Sequence, residues 1–260
     1  MPLSPRAIIV LLAILLSPAL AAAAVQTKPV EWTADGVTYK SVAALDDAAT
    51  GKRPGVLVFP EWWGLTDYPV TRAKQLAELG YVALAVDMYG DGKTTTDPKQ
   101  AGEWAGAVKQ GAGLRTRAQA ALEQLRKMGN VDGSRVAAIG YCFGGSTALE
   151  LARSGADVRG VVALHAGLDF ATAPAEQIPA RVLLLTGSAD PMVPLEQVKA
   201  FMDQLDAAGV THEVTVYSGA KHAFSNPNAD SYGLPPVGYN KTADARSFDA
   251  MRTFLADVLR

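Results

Sequence analysis

Past residue 24 the chain alternates between two patterns of apolar residues. Apolar runs at 55–59, 81–86, 135–139, 158–164 and 181–186, with a further segment at 213–217, read as strands, most of them buried on both faces. Between and after them, apolar residues recur at helical spacing over 70–79, from Asp97-Pro98 to the glycine break at 111–113, and over 114–128, 146–153, 195–208 and 243–259. Gly80 is a good stop for the first of these helices, and Asp97 followed by Pro98 is an N-cap with proline in the first turn. Ahead of this series, 30–33 and 37–40 flank Asp35-Gly36, a hairpin signal. Strands that are apolar throughout and alternate with helices predict an α/β fold: a mostly parallel sheet with helices on both faces and the leading hairpin as an antiparallel edge. No internal repeat or low-complexity linker divides residues 25–260, which are expected to form one domain.

The first 24 residues follow a different pattern. Arg6 precedes an unbroken apolar run at 7–16, then Ser17-Pro18 and the small-residue stretch from Ala19 to Ala24. This reads as a secretory signal peptide, cut after Ala24 or at Ala21 or Ala22, and it places the mature protein in the periplasm or outside the cell. The competing reading is a membrane anchor, but the apolar run is shorter than the roughly 20 residues of a spanning helix. Cleavage would leave no membrane association.

Composition narrows the function classes. The 260 residues carry a net charge of −2 with no block of like charge, which supports neither nucleic-acid binding nor attachment to an anionic membrane. There is no phosphate-binding loop, dinucleotide fingerprint or metal-spaced ligand cluster, so no cofactor and no metal are expected. Nothing calls for a second subunit, and the expectation is a monomer. The chain has one cysteine, Cys142, which cannot form a disulfide within the chain. An exported protein with a lone thiol must bury it or use it.

Cys142 lies in Gly140-Tyr141-Cys142-Phe143-Gly144-Gly145, between a predicted strand and a predicted helix. Glycines two before and two after the central residue suit a sharp strand-to-helix turn, where neighbouring backbone would clash with a β-carbon. Such a turn presents the central side chain at the sheet's carboxyl edge, beside a helix N-terminus. That setting, with an imidazolium nearby, favours the reactive thiolate. The plainer alternative is a small buried residue in a glycine-rich turn.

A thiol nucleophile needs a base, and the histidines are His165, His212 and His222. Asp190 follows the strand at 181–186 and His222 follows the strand at 213–217, both at carboxyl ends, where open parallel sheets bind ligands. The order Cys142, Asp190, His222 is the nucleophile–acid–histidine order of α/β-hydrolases. Taken singly, Asp190 could instead cap a helix and His222 could be a surface residue. His165 has no acid on a following strand loop and reads as structural or supporting. His212 opens a strand and is expected to be exposed.

With these residues placed, the chain resembles the dienelactone hydrolase family of cysteine hydrolases, of the α/β-hydrolase fold, over roughly 39–259. The resemblance rests on Pro60-Glu61-Trp62-Trp63-Gly64-Leu65, Asp87-Met88-Tyr89, the Cys142 turn, Gly187-Ser188-Ala189-Asp190 and His222-Ala223-Phe224. It implies that Glu61 lies by the cysteine in the resting enzyme and helps switch its protonation. It also implies that the N–H groups of Trp62 and Phe143 form an oxyanion hole. Two arginines that bind the substrate carboxylate in that family are absent: their positions hold Asp91 and Asn226, with Lys93 as a substitute point charge.

The expected activity is therefore hydrolysis of an ester or lactone other than dienelactone, with Trp63, Tyr89 and Phe224 joining Trp62 around an apolar pocket. The alternative from another class is a non-catalytic exported protein that binds an acyl ligand or senses oxidants through Cys142.

Overall fold

The computed structural model describes residues 25–110, 113–169 and 178–260; the expected signal segment, 1–24, lies outside them. Strands β1 (Val25–Ala34), β2 (Val37–Asp46), β3 (Arg53–Phe59), β4 (Val82–Ala85), β5 (Val131–Tyr141), β6 (Gly160–Leu164), β7 (Arg181–Gly187) and β8 (His212–Tyr217) form one sheet in the order β1-β2-β4-β3-β5-β6-β7-β8. β2 pairs antiparallel with β1 and with β4, and every pairing from β4 through β8 is parallel. This is the α/β-hydrolase architecture expected from the sequence, with the antiparallel hairpin at one edge.

The hairpin turns at Asp35 and Gly36, with φ of 50° and 75°, as a two-residue turn with both central residues left-handed requires. Its strands have ten residues each, much longer than the four-residue segments legible in the sequence. β1 is an edge strand and carries exposed Gln26, Thr27 and Lys28, which hide it from a search for apolar runs.

Helices α1 (Asp67–Glu78), α2 (Pro98–Lys109), α3 (Gly113–Lys127), α4 (Phe143–Arg153), α5 (Leu195–Ala207) and α6 (Lys241–Val258) cover the sheet on both faces. The two-residue period of the strands divides the interior accordingly. Leu57, Phe59, Val136 and Ala138 face one core with Val108, Leu122, Leu149 and Phe201, from α2, α3, α4 and α5. Val56, Val58, Ala137 and Ile139 face the other, with Leu76 of α1 and Phe254 of α6. Asp97 caps α2 as expected, its side chain accepting from the Lys99 amide. Three differences in extent matter: β5 starts at Val131, β6 at Gly160, and α4 begins directly after Cys142. His212 opens β8, yet its side chain is only 12% exposed, and Nδ1 lies 3.0 Å from the Val210 carbonyl oxygen. Among the described residues no helix is long and apolar enough to cross a membrane.

Candidate active site

The turn between β5 and α4 holds Cys142 at φ 54° and ψ −116°, a backbone conformation disfavoured for an L residue. The flanking glycines make it possible. A β-carbon on Gly140 would fall 1.9 Å from the Gly144 carbonyl oxygen, and one on Gly144 would fall 2.2 Å from that of Phe59. The Cys142 amide donates to the Leu164 carbonyl at 3.0 Å, which anchors the turn to β6. Phe143, the first residue of α4, has one of the N–H groups that a helix leaves without an internal acceptor. The thiol is partly exposed.

Asp190 and His222 arrive from the ends of β7 and β8. The Asp190 carboxylate is buried, and Oδ1 accepts from the amides of Met192 at 2.8 Å and Val193 at 3.2 Å. Oδ2 is left to accept from His222 Nδ1 at 2.8 Å. Asp190 thus holds its own loop and orients the imidazole, while α5 starts later, at Leu195. A proton on Nδ1 leaves Nε2 to face the nucleophile. Nε2 is buried and has no hydrogen-bond partner among the described residues. Burial works against the imidazolium. Interaction with Cys142 and the Asp190 carboxylate outweighs it, and the His222 pKa is pushed up to about 10. The histidine loop is pinned by a bond from the His222 amide to the Pro236 carbonyl and another from the Gly238 amide to the His222 carbonyl.

Behind His222 lies a buried polar network that sequence reasoning missed. The His165 ring sits edge-on to that of His222, centroids 5.2 Å apart. Its Nε2 is 2.9 Å from Ser225 Oγ, which is 2.8 Å from the Tyr68 hydroxyl. Arg72 donates to the Ser225 carbonyl and pairs with Asp244. Burial, then the adjacent His222, hold the His165 pKa well below its ordinary value, so a neutral ring backs that of His222. His165 is thus buried within this network, held by Ser225.

Two pockets meet at Cys142, and Trp62, Met192 and His222 line both. The larger, about 400 Å³, runs along α2 past Gly102, Gly106 and Lys109 to Asp169. The smaller, about 170 Å³, is walled by Glu61, Trp63, Tyr232, Leu234 and Val237. Trp63 therefore lines the smaller pocket. Tyr89 and Phe224 line neither pocket, and their expected place is corrected. The Asp87 side chain accepts from the Tyr89 amide and turns that residue inward, where it packs on Phe143 and its hydroxyl donates to the Trp62 carbonyl at 2.8 Å. Phe224 is fully buried against His165 and Tyr217, because the positive φ of Ala223 (56°) turns the chain back into the core.

The sequence profile of the dienelactone hydrolase family matches residues 40–259. This chain belongs to that family. It is an ester or lactone hydrolase by that membership. It is 27% identical, over 80% of its length and 89% of the relative's, to a Bradyrhizobium protein named "Probable 2-oxo-3-(5-oxofuran-2-ylidene)propanoate lactonase". It is also similar to the crystal structure of a dienelactone hydrolase-like promiscuous phosphotriesterase from metagenomic libraries. That comparison gives 38% identity and a TM-score of 0.85, covering 91% of this chain and 99% of the other.

Within the family, the two positions expected to carry arginine are occupied differently here. Asp91 is exposed, and Lys93 lies 3.5 Å from it, itself 49% exposed and lining neither pocket. Asn226 is fully buried and donates through Nδ2 to Glu61 Oε2 at 2.6 Å and to the Tyr232 hydroxyl at 3.1 Å. Glu61 is thus in the pocket wall beside Cys142, with its hydrogen bond directed to Asn226. Burial pushes its pKa up to about 7, against the lowering effects of Asn226 and His222. Asn226 and Tyr232 carried no signal in this chain beyond the missing arginine. The cluster joins residues 165 apart in sequence.

Proposed function

We propose that the protein hydrolyses an ester or lactone, other than dienelactone, through a covalent acyl-enzyme on Cys142. The observation that supports this most strongly is the bond between His222 Nδ1 and Asp190 Oδ2, which turns Nε2 toward the strained cysteine. In the first step the thiolate sulfur attacks the carbonyl carbon. The N–H groups of Trp62 and Phe143 receive the charge that develops on oxygen. The bond to the leaving oxygen breaks, and His222 supplies the proton that oxygen needs. Water, losing a proton to His222, then attacks the thioester, which splits into the free acid and the cysteine sulfur. Glu61, with a pKa raised to about 7, can hold or release a proton beside this pair near neutrality. Ester and thioester bonds suit the mechanism better than amides because their leaving groups depart more readily.

The substrate is assigned away from dienelactone because Asp91 and Asn226 offer no bidentate cation for a carboxylate held next to the reacting carbonyl. Export rests on the apolar run at 7–16 and the small residues after it. Cleavage after Ala24 would leave β1 whole, since the strand starts at Val25. Incubation of the purified protein with 4-nitrophenyl butyrate and rapid acid quench tests the mechanism. Intact and peptide mass spectrometry should find a butyryl group on Cys142; steady turnover with the acyl group on another residue, or on none, would reject it.

A further inference from the structure

The larger pocket contains a charge for which the reaction itself has no use. Lys109 closes the end of α2 and, among the described residues, is the only lysine or arginine lining either pocket. Gly102, Gly106 and Lys109 follow one another at helical spacing, so one face of α2 forms a shallow trough. At its near end, a β-carbon on Gly102 would rest 3.8 Å from the Trp62 indole, beside the nucleophile. Seven residues of helix, about 10 Å of rise, carry the trough from there to Lys109. The small residues leave space along this path, and Lys109 lines the same pocket.

Lys109 is loosely committed. Its Nζ is 3.7 Å from Asp169 Oδ1, beyond hydrogen-bond distance, and the two side chains are 35% and 64% exposed. A pair this open contributes little and exchanges partners readily. The smaller pocket has the opposite character: Trp63, Leu234 and Val237 accept a compact apolar group, and the carboxyl of Glu61 disfavours a second acid there. The larger pocket thus offers an ammonium, with Asp169 as its loosely held partner, and the lining of the smaller pocket offers none among the described residues.

Building on the hydrolase reading above, we infer that Lys109 is a specificity-determining residue. It selects esters with a compact apolar group on one side of the scissile bond and, on the other, a chain of several carbons ending in a carboxylate. This differs from recognition of an acid beside the reacting carbonyl, for which the chain lacks the arginines. The acid here sits at the far end of the trough and meets a point charge. Dicarboxylic half-esters have this form.

The test compares kcat/KM for mono-4-nitrophenyl adipate and 4-nitrophenyl hexanoate, which share length and leaving group and differ in the terminal acid. The wild-type protein should prefer the adipate, and the preference should shrink as ionic strength rises from 20 mM to 500 mM. Lys109→Met should lower the adipate-to-hexanoate ratio about tenfold, as loss of one charge-assisted hydrogen bond does. Lys109→Arg should restore it, and Asp169→Asn should raise it above wild type by freeing the ammonium. A wild-type ratio at or below one, or a ratio indifferent to Lys109→Met, overturns the inference while hexanoate hydrolysis keeps the reaction itself standing. Failure to cleave either ester would remove the hydrolase reading and this inference together.

Discussion

Asn226 donates its side-chain amide to Glu61 at 2.6 Å in a fully buried site. A neutral donor thus stands where the family resemblance calls for a guanidinium. An arginine would hold Glu61 ionised at every working pH. An amide stabilises the carboxylate less, and burial prevails, raising the pKa to about 7. The same substitution that removes a carboxylate-binding cation also gives Glu61 a proton it can exchange near neutrality.

That raised pKa has a cost in stability with a definite pH dependence. The folded chain binds the Glu61 proton more tightly than the unfolded chain, whose carboxyl titrates near 4.5. Stability is therefore undiminished below pH 4.5, falls as pH rises toward 7, and levels off above that at a loss of roughly 3 kcal/mol. Glu61→Gln keeps an oxygen for Asn226 and removes the ionisation. Denaturant midpoints for variant and wild type should coincide near pH 4 and separate by pH 8, with the variant more stable and slower in turnover. Equal separation at both pH values would show that the carboxyl is not desolvated.

The turn at Cys142 gives a steric prediction with an internal control. Gly144→Ala would force its methyl to within 2.2 Å of the Phe59 carbonyl oxygen, and backbone cannot yield as a side-chain tip can. The variant should lose several kcal/mol of stability and most of its activity. Gly129→Ala meets no atom within 4 Å and should unfold within about 0.5 kcal/mol of wild type. Thermal melts and ester turnover on both variants check the contrast.

These two sites also mark how far the sequence could be read. The glycines around Cys142 announce their turn because the constraint is local: strand, bend and helix are consecutive, and each glycine clears an atom a few residues away or on the next strand. The parallel strands were legible as apolar runs for the same reason. The Glu61–Asn226–Tyr232 cluster and the His165–Ser225–Tyr68 chain join side chains from separate loops, and no spacing rule links them. Tyr89 and Phe224, expected to line the pocket, instead pack behind it. Motif proximity does not fix side-chain direction once Ala223 takes a positive φ or Asp87 captures the Tyr89 amide.

Asp190→Asn separates orientation from charge. The Asp190 loop amides can still bond to the asparagine oxygen, so the fold should persist. The remaining group facing His222 would be an amide with no negative charge, and one of the influences raising the His222 pKa would be gone. The pKa should fall, the wrong tautomer becomes accessible, and kcat should drop by about 10²- to 10⁴-fold. Histidine Cε1–H chemical shifts followed against pH give the titration directly. An unchanged titration would mean that Cys142 alone sets the charge on His222.

Tyr89→Phe tests the residue that packs behind the proposed oxyanion hole. Its hydroxyl donates to the Trp62 carbonyl at 2.8 Å, and its ring packs on Phe143, so one side chain braces both residues whose N–H groups are assigned to the oxyanion. Phenylalanine keeps the ring contact and leaves that carbonyl without its donor, at about 1 kcal/mol in stability. If the brace acts only on structure, turnover at room temperature is unaffected once the protein is folded. If it positions the Trp62 backbone, the defect falls on kcat, by about three- to tenfold, with KM nearly unchanged, because the oxyanion contact strengthens only in the transition state. The packing of Tyr89 against both residues favours the second outcome, and a rise in KM at constant kcat would argue that Tyr89 shapes the pocket instead.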